Sequence, residues 1–351
     1  MKIYLFICII YQKKYESALR IKFLIALNTL FYKKIEFFFY EYIKDNKTNK
    51  QMIHSKVIQL CKEQDEIYQG NAVNPVTNEP YVYGIIIDGH GTHIGVNDIR
   101  SIIQTHLAEI LEAENPHIFI QEQIEILKNE HIEKLQIYRV AKARLLKELA
   151  RSGSTFLMTK FYDNRVETFS IGDSEIYVIK NDEIVYHNPI HDWSNTAEQI
   201  RLFQRNDITI FPRLSYGSFA INPTTIVNKP TYIIDYNTTH SFIPTQALGH
   251  QGITEFSPER QTIYYNNETD KIKILLASDG LWDVFTPDHP DDLLNMKTLN
   301  AEELADLAEK RWKQEWFVAK SPQTPEELFS TKSSYHSTSY DDVSVITITN
   351  K

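Results

Sequence analysis

Three apolar runs of strand length end or begin in aspartate, and this pattern restricts the fold more than any other feature of the chain. VYGIIID closes on Asp88, KIKILLASDG runs into Asp279, and SYDDVSVITIT opens with Asp341 and Asp342. Runs this rich in apolar residues suit buried strands. A single carboxylate at such a strand end is most simply a turn former. Asp65 in KEQDEIY and Asp173 in SIGDSEIYVI add two more acids beside strand-like runs. Strands of one sheet that present their ends at one rim would bring these carboxylates together, where they repel unless a cation neutralises them. Hard oxygen donors with few histidines favour Mg²⁺ or Mn²⁺ over zinc. Gly89, without a side chain, lets its carbonyl approach such an ion closely.

Strands group with strands, and helices with helices. FLMTKFYDNRVETFSIGDSEIYVIKNDEIVYH (156–187) holds three strand-like runs with the turn signals DN, GDS and ND, a pattern of antiparallel meanders. Asn97 is placed to cap a helix carrying Ile99, Ile102, Ile103, Leu107 and Ile110 at helical spacing. A second helix is expected from about Gln121 to Ala150, followed by a polar, proline-containing stretch over 189–252. Asn300 opens another helix, with Glu303 set as in a capping box. This grouping predicts an α+β layered domain, not a regular βαβ repeat.

The chain has 351 residues, 42% hydrophobic, enough for a substantial core. Its net charge of -9 and lack of a basic run argue against nucleic acid as a partner and against a metal-dependent nuclease. Two cysteines, Cys8 and Cys61, make neither a disulfide framework nor a CxxC zinc site, and they fit a reducing compartment. The first fifty residues lack Gly and Pro and carry ten basic against four acidic residues. Their apolar runs, Ile3 to Ile10 and Phe23 to Tyr32, are shorter than the roughly 18 to 20 residues a bilayer requires. No A-x-A type cleavage site follows, so a transmembrane segment and secretion are not expected. Residues 1–51 are read as an N-terminal extension, even an over-extended reading frame, and 52–351 as the domain that carries the chemistry-bearing residues. A cytoplasmic or nuclear monomer is the corresponding expectation.

DGHG at 88–91, SGST at 152–155, IGDS at 171–174, ASDGLWDV at 277–284 and YDDVSV at 340–345, in this order, resemble the signature of the metal-dependent protein phosphatase 2C (PPM) family. The resemblance spans roughly residues 54–350. It implies two antiparallel β-sheets packed as a central sandwich, with α-helices on both outer faces and a binuclear Mn²⁺ or Mg²⁺ site in a cleft at one edge. It also implies hydrolysis of phosphoserine and phosphothreonine in phosphoprotein substrates by a water held between the two ions. By the same resemblance, Asp88 bridges the ions, Gly89 supplies its carbonyl, Asp279 and Asp341 complete the first metal, and Asp65 matches the acid of the N-terminal motif. Asp173 and Asp283 match acids of a weaker third metal, and His90 protonates the departing oxygen. Residues 189–252 correspond to the flap beside the cleft, where Arg201, Arg205 and Arg213 are candidates to meet a phosphopeptide.

Four positions depart from the family pattern. The phosphate-gripping Arg, five residues before the motif Asp, is Leu60 here, which leaves Lys62 as the nearby cation. Gln64 stands where many members have Glu. R-A-L-G-D becomes Gln246 through His250, with an expected effect on the local salt-bridge network before any effect on chemistry. These departures motivate an alternative, a pseudophosphatase acting as a binding or scaffold module.

Overall fold

The computed structural model describes residues 51–135, 139–237, 240–321 and 323–350. The expected N-terminal extension lies outside the described residues except for Gln51. Two five-stranded sheets form the centre. The first contains β1 (Met52–Ile58), β8 (Glu175–Lys180), β9 (Glu183–His187), β15 (Ile272–Ala277) and β17 (Val343–Thr349), in the order β1-β17-β15-β8-β9. The second contains β2 (Glu66–Val73), β3 (Pro80–Ile87), β6 (Phe156–Phe161), β7 (Arg165–Ile171) and β14 (Glu259–Tyr264), in the order β14-β7-β6-β3-β2. Every pairing within both sheets is antiparallel.

Period-two alternation explains why the central strands read as unbroken apolar runs. In β3, Val82 and Ile86 face the other sheet and meet Ile346 and Ile348 of β17, while Ile85 and Ile87 face helices. Likewise Ile274 and Leu276 of β15 lie between the sheets, and Leu275 and Ala277 lie under helices. Helices α1 (His93–Thr105), α2 (Leu107–Glu112) and α3 (Pro116–Lys134) cover the second sheet through Ile99, Ile103, Ile110 and Ile120. Helix α4 (Arg139–Leu149) leads back to β6. On the first sheet lie α6 (Asp279–Trp282), α7 (Pro290–Thr298) and α8 (Ala301–Lys313), with Leu304, Ala308 and Trp312 against β15 and β17. The expected sandwich with helices on both faces is therefore present. Among the described residues no helix is long and apolar enough to cross a membrane.

Local expectations met mixed outcomes. The capping box of Asn300 and Glu303 forms at the start of α8. Asn97, expected as a cap, lies inside α1, which begins at His93 after Thr92. Two helices, α3 and α4, occupy the span read as one; α3 ends where the Leu135 N–H turns back to the Ile132 carbonyl. The three turn signals in 156–187 separate four strands, not three. The stretch 189–252 holds α5 (Thr196–Phe203), a long hairpin of β10 (Ile210–Asn222) and β11 (Thr225–Tyr236), and β12 (His240–Phe242). Pro212, Pro230 and Gly217 mask this hairpin in the sequence. Pro212 is tolerated because β10 is an edge strand, and Pro230 lies between the short stretches of β11 that pair with β16 (Phe317–Ala319) and β12.

A buried ion pair ties the helices under the first sheet together. Arg311 of α8 donates to Asp292 of α7 through both terminal nitrogens, at 2.8 and 2.5 Å, and to the Val284 carbonyl at 3.0 Å. Both side chains are buried. Asp292→Ala strands the guanidinium without its partner and is expected to cost about 3–5 kcal/mol. Asp306→Ala removes only an exposed pair with Lys56 and should leave stability almost unchanged. Urea denaturation of the two variants checks the contrast.

Candidate metal centre

Two crossovers between the sheets occur at the same end of the sandwich, and they build the site. Residues 59–65 carry the chain from β1 to β2, and residues 172–174 carry it from β7 to β8. Asp65 ends the first crossover and Asp173 lies in the second. The tip of β3 delivers Asp88, β15 runs out into Asp279, and Asp341 precedes β17. A cleft of about 600 Å³ opens here, lined by Asp88, Asp173, Asp279, Asp283 and Asp341. Asp65 is 1% exposed and does not line the cleft, but its carboxyl responds to Asp279 and Asp341. The structure thus gathers all six acids singled out in the sequence.

Backbone contacts fix the strand ends. The Asp88 N–H donates to Thr155 Oγ1 at 3.2 Å, and its carbonyl accepts from the Thr155 N–H at 2.9 Å and Ser154 Oγ at 3.0 Å. The SGST segment is therefore a clamp on DGHG. A Cβ at Gly89 would meet Val96 Cγ1 at 2.6 Å and the Gln64 carbonyl at 2.8 Å, so this position accepts only glycine without a shift. Asp342 organises the first crossover: its Oδ1 accepts from the N–H groups of Leu60, Cys61 and Lys62 at 2.8–3.2 Å, and its Oδ2 from that of Gln64 at 2.8 Å. From α1, Arg100 donates to the Glu63 and Asp65 carbonyls at 2.9 and 3.0 Å. These positioning roles escaped sequence reading, although the double aspartate at 341–342 was a visible signal.

Electrostatics dominate this cleft. Burial, followed by the charges of neighbouring acids, pushes the carboxyls of Asp65, Asp88, Asp173 and Asp283 well above the usual carboxylate range. Burial and Asp279 raise Asp341 to about 6. Lys62 places its Nζ 2.5 Å from Asp341 Oδ2. Burial works against its charge, but Asp341, Asp279 and Asp88 together raise its pKa above the ordinary lysine value. Lys62, read from the sequence as a cation for the substrate phosphate, is thus engaged with an acid of the cleft.

Among the described residues, no three acidic, histidine or cysteine side chains already converge tightly enough to hold an ion. The donor chemistry nevertheless fits hard divalent cations. All the clustered side chains offer carboxylate oxygen, and Asp65 Oδ2 and Asp279 Oδ1 are buried without a hydrogen-bond partner. Unpartnered buried carboxylate oxygens are costly unless something cationic satisfies them.

His90 lines the cleft, and its Nε2 lies 2.6 Å from Nε2 of the fully buried His250. Burial and the Lys62 charge bring His90 down to about 4, so its resting form at neutral pH is the uncharged imidazole. His93 is exposed. The flap arginines are engaged elsewhere: Arg201 pairs with Glu198 at 2.8 Å, Arg205 with Asp207 at 2.5 Å and Arg213 with Asp235 at 3.3 Å. Gln246 joins the Glu198 network at 2.8 Å, whereas His250, the other changed residue of this segment, reaches His90 in the cleft, which the expectation of a purely local salt-bridge effect did not include. Arg151, just before SGST and passed over in the sequence, lines the cleft instead.

Repulsion among the acids has a measurable consequence in metal-free protein. A carboxyl raised from 3.8 to about 6 contributes stability that is full below its unfolded pKa and is lost as pH rises toward the folded one. Asp279→Asn removes a repulsive neighbour. In EDTA the variant is expected to be more stable than wild type, by a margin that grows between about pH 4 and 6 to ~1–2 kcal/mol. Urea midpoints across that range check it, and a pH-independent difference would refute the electrostatic origin.

A family model described as Protein phosphatase 2C matches residues 59–314. No curated protein matches the chain. Among solved structures, the serine/threonine phosphatase PstP/Ppp of Mycobacterium tuberculosis is similar at 15% identity and a TM-score of 0.45, covering 85% of this chain and 97% of that one. A serine-threonine phosphatase 2C from Toxoplasma gondii shows 14% identity and a TM-score of 0.48, with coverage of 86% and 94%. A C. elegans sex determining protein shows 18% and 0.48, with coverage of 93% and 74%. These scores are low, and the match to the family model is what places the chain. That match ends at Gln314, before Asp341, which reaches the cleft because β17 pairs with β15. The chain belongs to the protein phosphatase 2C family of protein serine/threonine phosphatases.

Proposed function

We propose that this chain hydrolyses phosphoserine and phosphothreonine in proteins at the acidic cleft, in a reaction that requires two Mn²⁺ or Mg²⁺ ions. The observation carrying this reading is the arrival of Asp88, Asp279 and Asp341 in one cleft from three strand ends, with buried carboxylate oxygen left unpartnered. Asp88, Asp279, Asp341 and Asp65, with the Gly89 carbonyl, are the proposed holders of the pair. Asp173 and Asp283 line the same cleft and are the proposed holders of a third ion. When bound, such ions neutralise phosphate charge and lower the pKa of a water between them.

The protein's own groups supply the remainder. Lys62 and Arg151 place positive charge on a cleft whose other charged lining is acidic, which favours a phosphate dianion. His90 is the proposed donor of a proton to the departing serine or threonine oxygen. A bound dianion opposes the Lys62 charge, the lesser of the two influences, after burial, that hold this imidazole neutral. Residues 52–351 are the proposed catalytic unit: Met52 pairs with Thr349, so a chain beginning there retains the whole of β1.

Activity of the purified protein on a phosphothreonine peptide should vanish in EDTA, return with Mn²⁺, and be lost in Asp279→Asn. His90→Ala should lower kcat by about 10²–10⁴. Arg151→Ala should raise KM about tenfold with a smaller change in kcat. Activity indifferent to EDTA and to Asp279→Asn would overturn the reading and leave a binding or scaffold module. The chain beginning at Met52 should match the full-length protein, and loss of its folding or activity would refute the proposed boundary.

A further inference from the structure

Two imidazoles meet across a glycine. Strands β4 (Gly89–His90), β5 (Gly153–Ser154) and β13 (Leu248–Gly249) form a small sheet with β5 in the middle, so that Gly153 pairs with His90 on one side and Gly249 on the other. A Cβ at Gly153 would lie 2.6 Å from His250 Nε2, so the bare backbone is what allows the rings to meet. His250 holds a left-handed backbone (φ 48°), is fully buried, and stacks on Phe242 with centroids 3.6 Å apart. A non-glycine residue in this region costs energy that its surroundings must supply. Its ring is therefore fixed before it touches His90.

Hydrogen positions follow by elimination. Two imidazole nitrogens facing each other at 2.6 Å in neutral rings share one proton. Nδ1 of His250 lies 3.4 Å from Thr254 Oγ1, which lies 3.2 Å from the Ala247 carbonyl, and both contacts are hydrogen bonds only when the hydroxyl donates to the carbonyl and accepts from Nδ1. The Thr254 oxygen is thus an acceptor, and His250 Nδ1 carries the proton. His250 Nε2 is left as a lone pair, so the bridging proton belongs to His90 Nε2.

We infer that His250 is a positioning residue, which fixes His90 as the Nε2–H tautomer and leaves Nδ1 as the nitrogen that exchanges a proton with the cleft. Its consequence for turnover rests on the hydrolytic reading above; the tautomer does not. In that reaction water supplies the oxygen that joins phosphorus, the P–O bond to serine or threonine breaks, and the departing oxygen takes the proton from Nδ1 of the imidazolium. The His90 ring returns to neutrality with its own Nε2–H still donated to His250 Nε2.

The test is imidazole ¹⁵N–¹H NMR of the full-length, metal-free protein, with His90 signals identified by His90→Asn. Wild type and His250→Gln, whose amide oxygen can replace the ring acceptor, should show His90 protonated at Nε2 alone. His250→Leu should show both tautomers. In turnover, His250→Leu should lose about 10²-fold in kcat with KM unchanged, and His250→Gln should recover most of it. His90 found as the Nδ1–H tautomer in wild type, or as pure Nε2–H in His250→Leu, would overturn the inference. The wild-type spectrum decides even if the leucine variant fails to fold, and the spectra decide even if the protein has no phosphatase activity.

Discussion

Carboxylates held together in one cleft repel one another, and the architecture around them is what keeps them from separating. Six acids reach this region from β2, β3, β15, β17, α6 and the β7–β8 crossover. The raised pKa values of Asp65, Asp88, Asp173, Asp283 and Asp341 record the conflict between burial, like charge and the fold. What opposes it is the apolar packing a few residues behind each acid. Ile86, Leu276 and Ile346 lie between the sheets with no exposure, so the strand ends cannot splay without opening a close-packed core. A site that suits divalent cations is thus charged to the core's account in the metal-free protein.

The neighbouring aspartates 341 and 342 show how one strand start serves two purposes. Successive residues of an extended chain point to opposite sides. Asp341 turns to the cleft, while Asp342 is buried and gathers four backbone N–H groups from residues 60–64. Those bonds tie the beginning of β17 to the crossover that supplies Lys62 and Asp65. Removing the Asp342 carboxylate would leave buried donors unsatisfied and release the segment that carries the cleft's cation. Trp312 adds a second tie, donating from Nε1 to the Gly280 carbonyl at 2.7 Å beside Asp279. Helix packing and site geometry are therefore coupled through main-chain contacts on both flanks of the acid cluster.

How much of this was readable in the sequence follows from the range of each interaction. The strands of β3, β15 and β17 were legible because burial on both faces writes an unbroken apolar run, and their terminal acids were legible because they interrupt it. The capping box at Asn300 and Glu303 was legible because it spans three residues. The β10–β11 hairpin was not, since its register sets Tyr216 opposite Pro230 and Pro212 opposite Ile234, pairings that break the usual strand signature. The start of α1 was missed because Thr92 gives no side-chain cap, leaving Asn97 the stronger local signal. His250 was visible only as a departure from a motif. Its contact with His90 spans 160 positions and depends on a glycine in a third segment, information that no local pattern carries.

The substitution at position 60 is best understood through this same geometry. Leu60 packs against the helix-side core of the first sheet, and its N–H is bound by Asp342, so its side chain belongs to the interior cluster. An arginine fork there would have to forgo that apolar packing to reach a phosphate. Positive charge enters the cleft instead from Lys62, two residues along the same Asp342-bound segment, and from Arg151, ahead of the SGST clamp. A lysine ammonium is a point charge on a flexible stem, whereas a guanidinium presents a planar pair of donors. The division of labour follows from that chemistry: Lys62 offsets the acids through Asp341, and Arg151, with its planar fork, is the side chain suited to grip phosphate oxygens. Under the proposed reaction, the grip on phosphate therefore falls to Arg151, just after α4, and not to the crossover before β2.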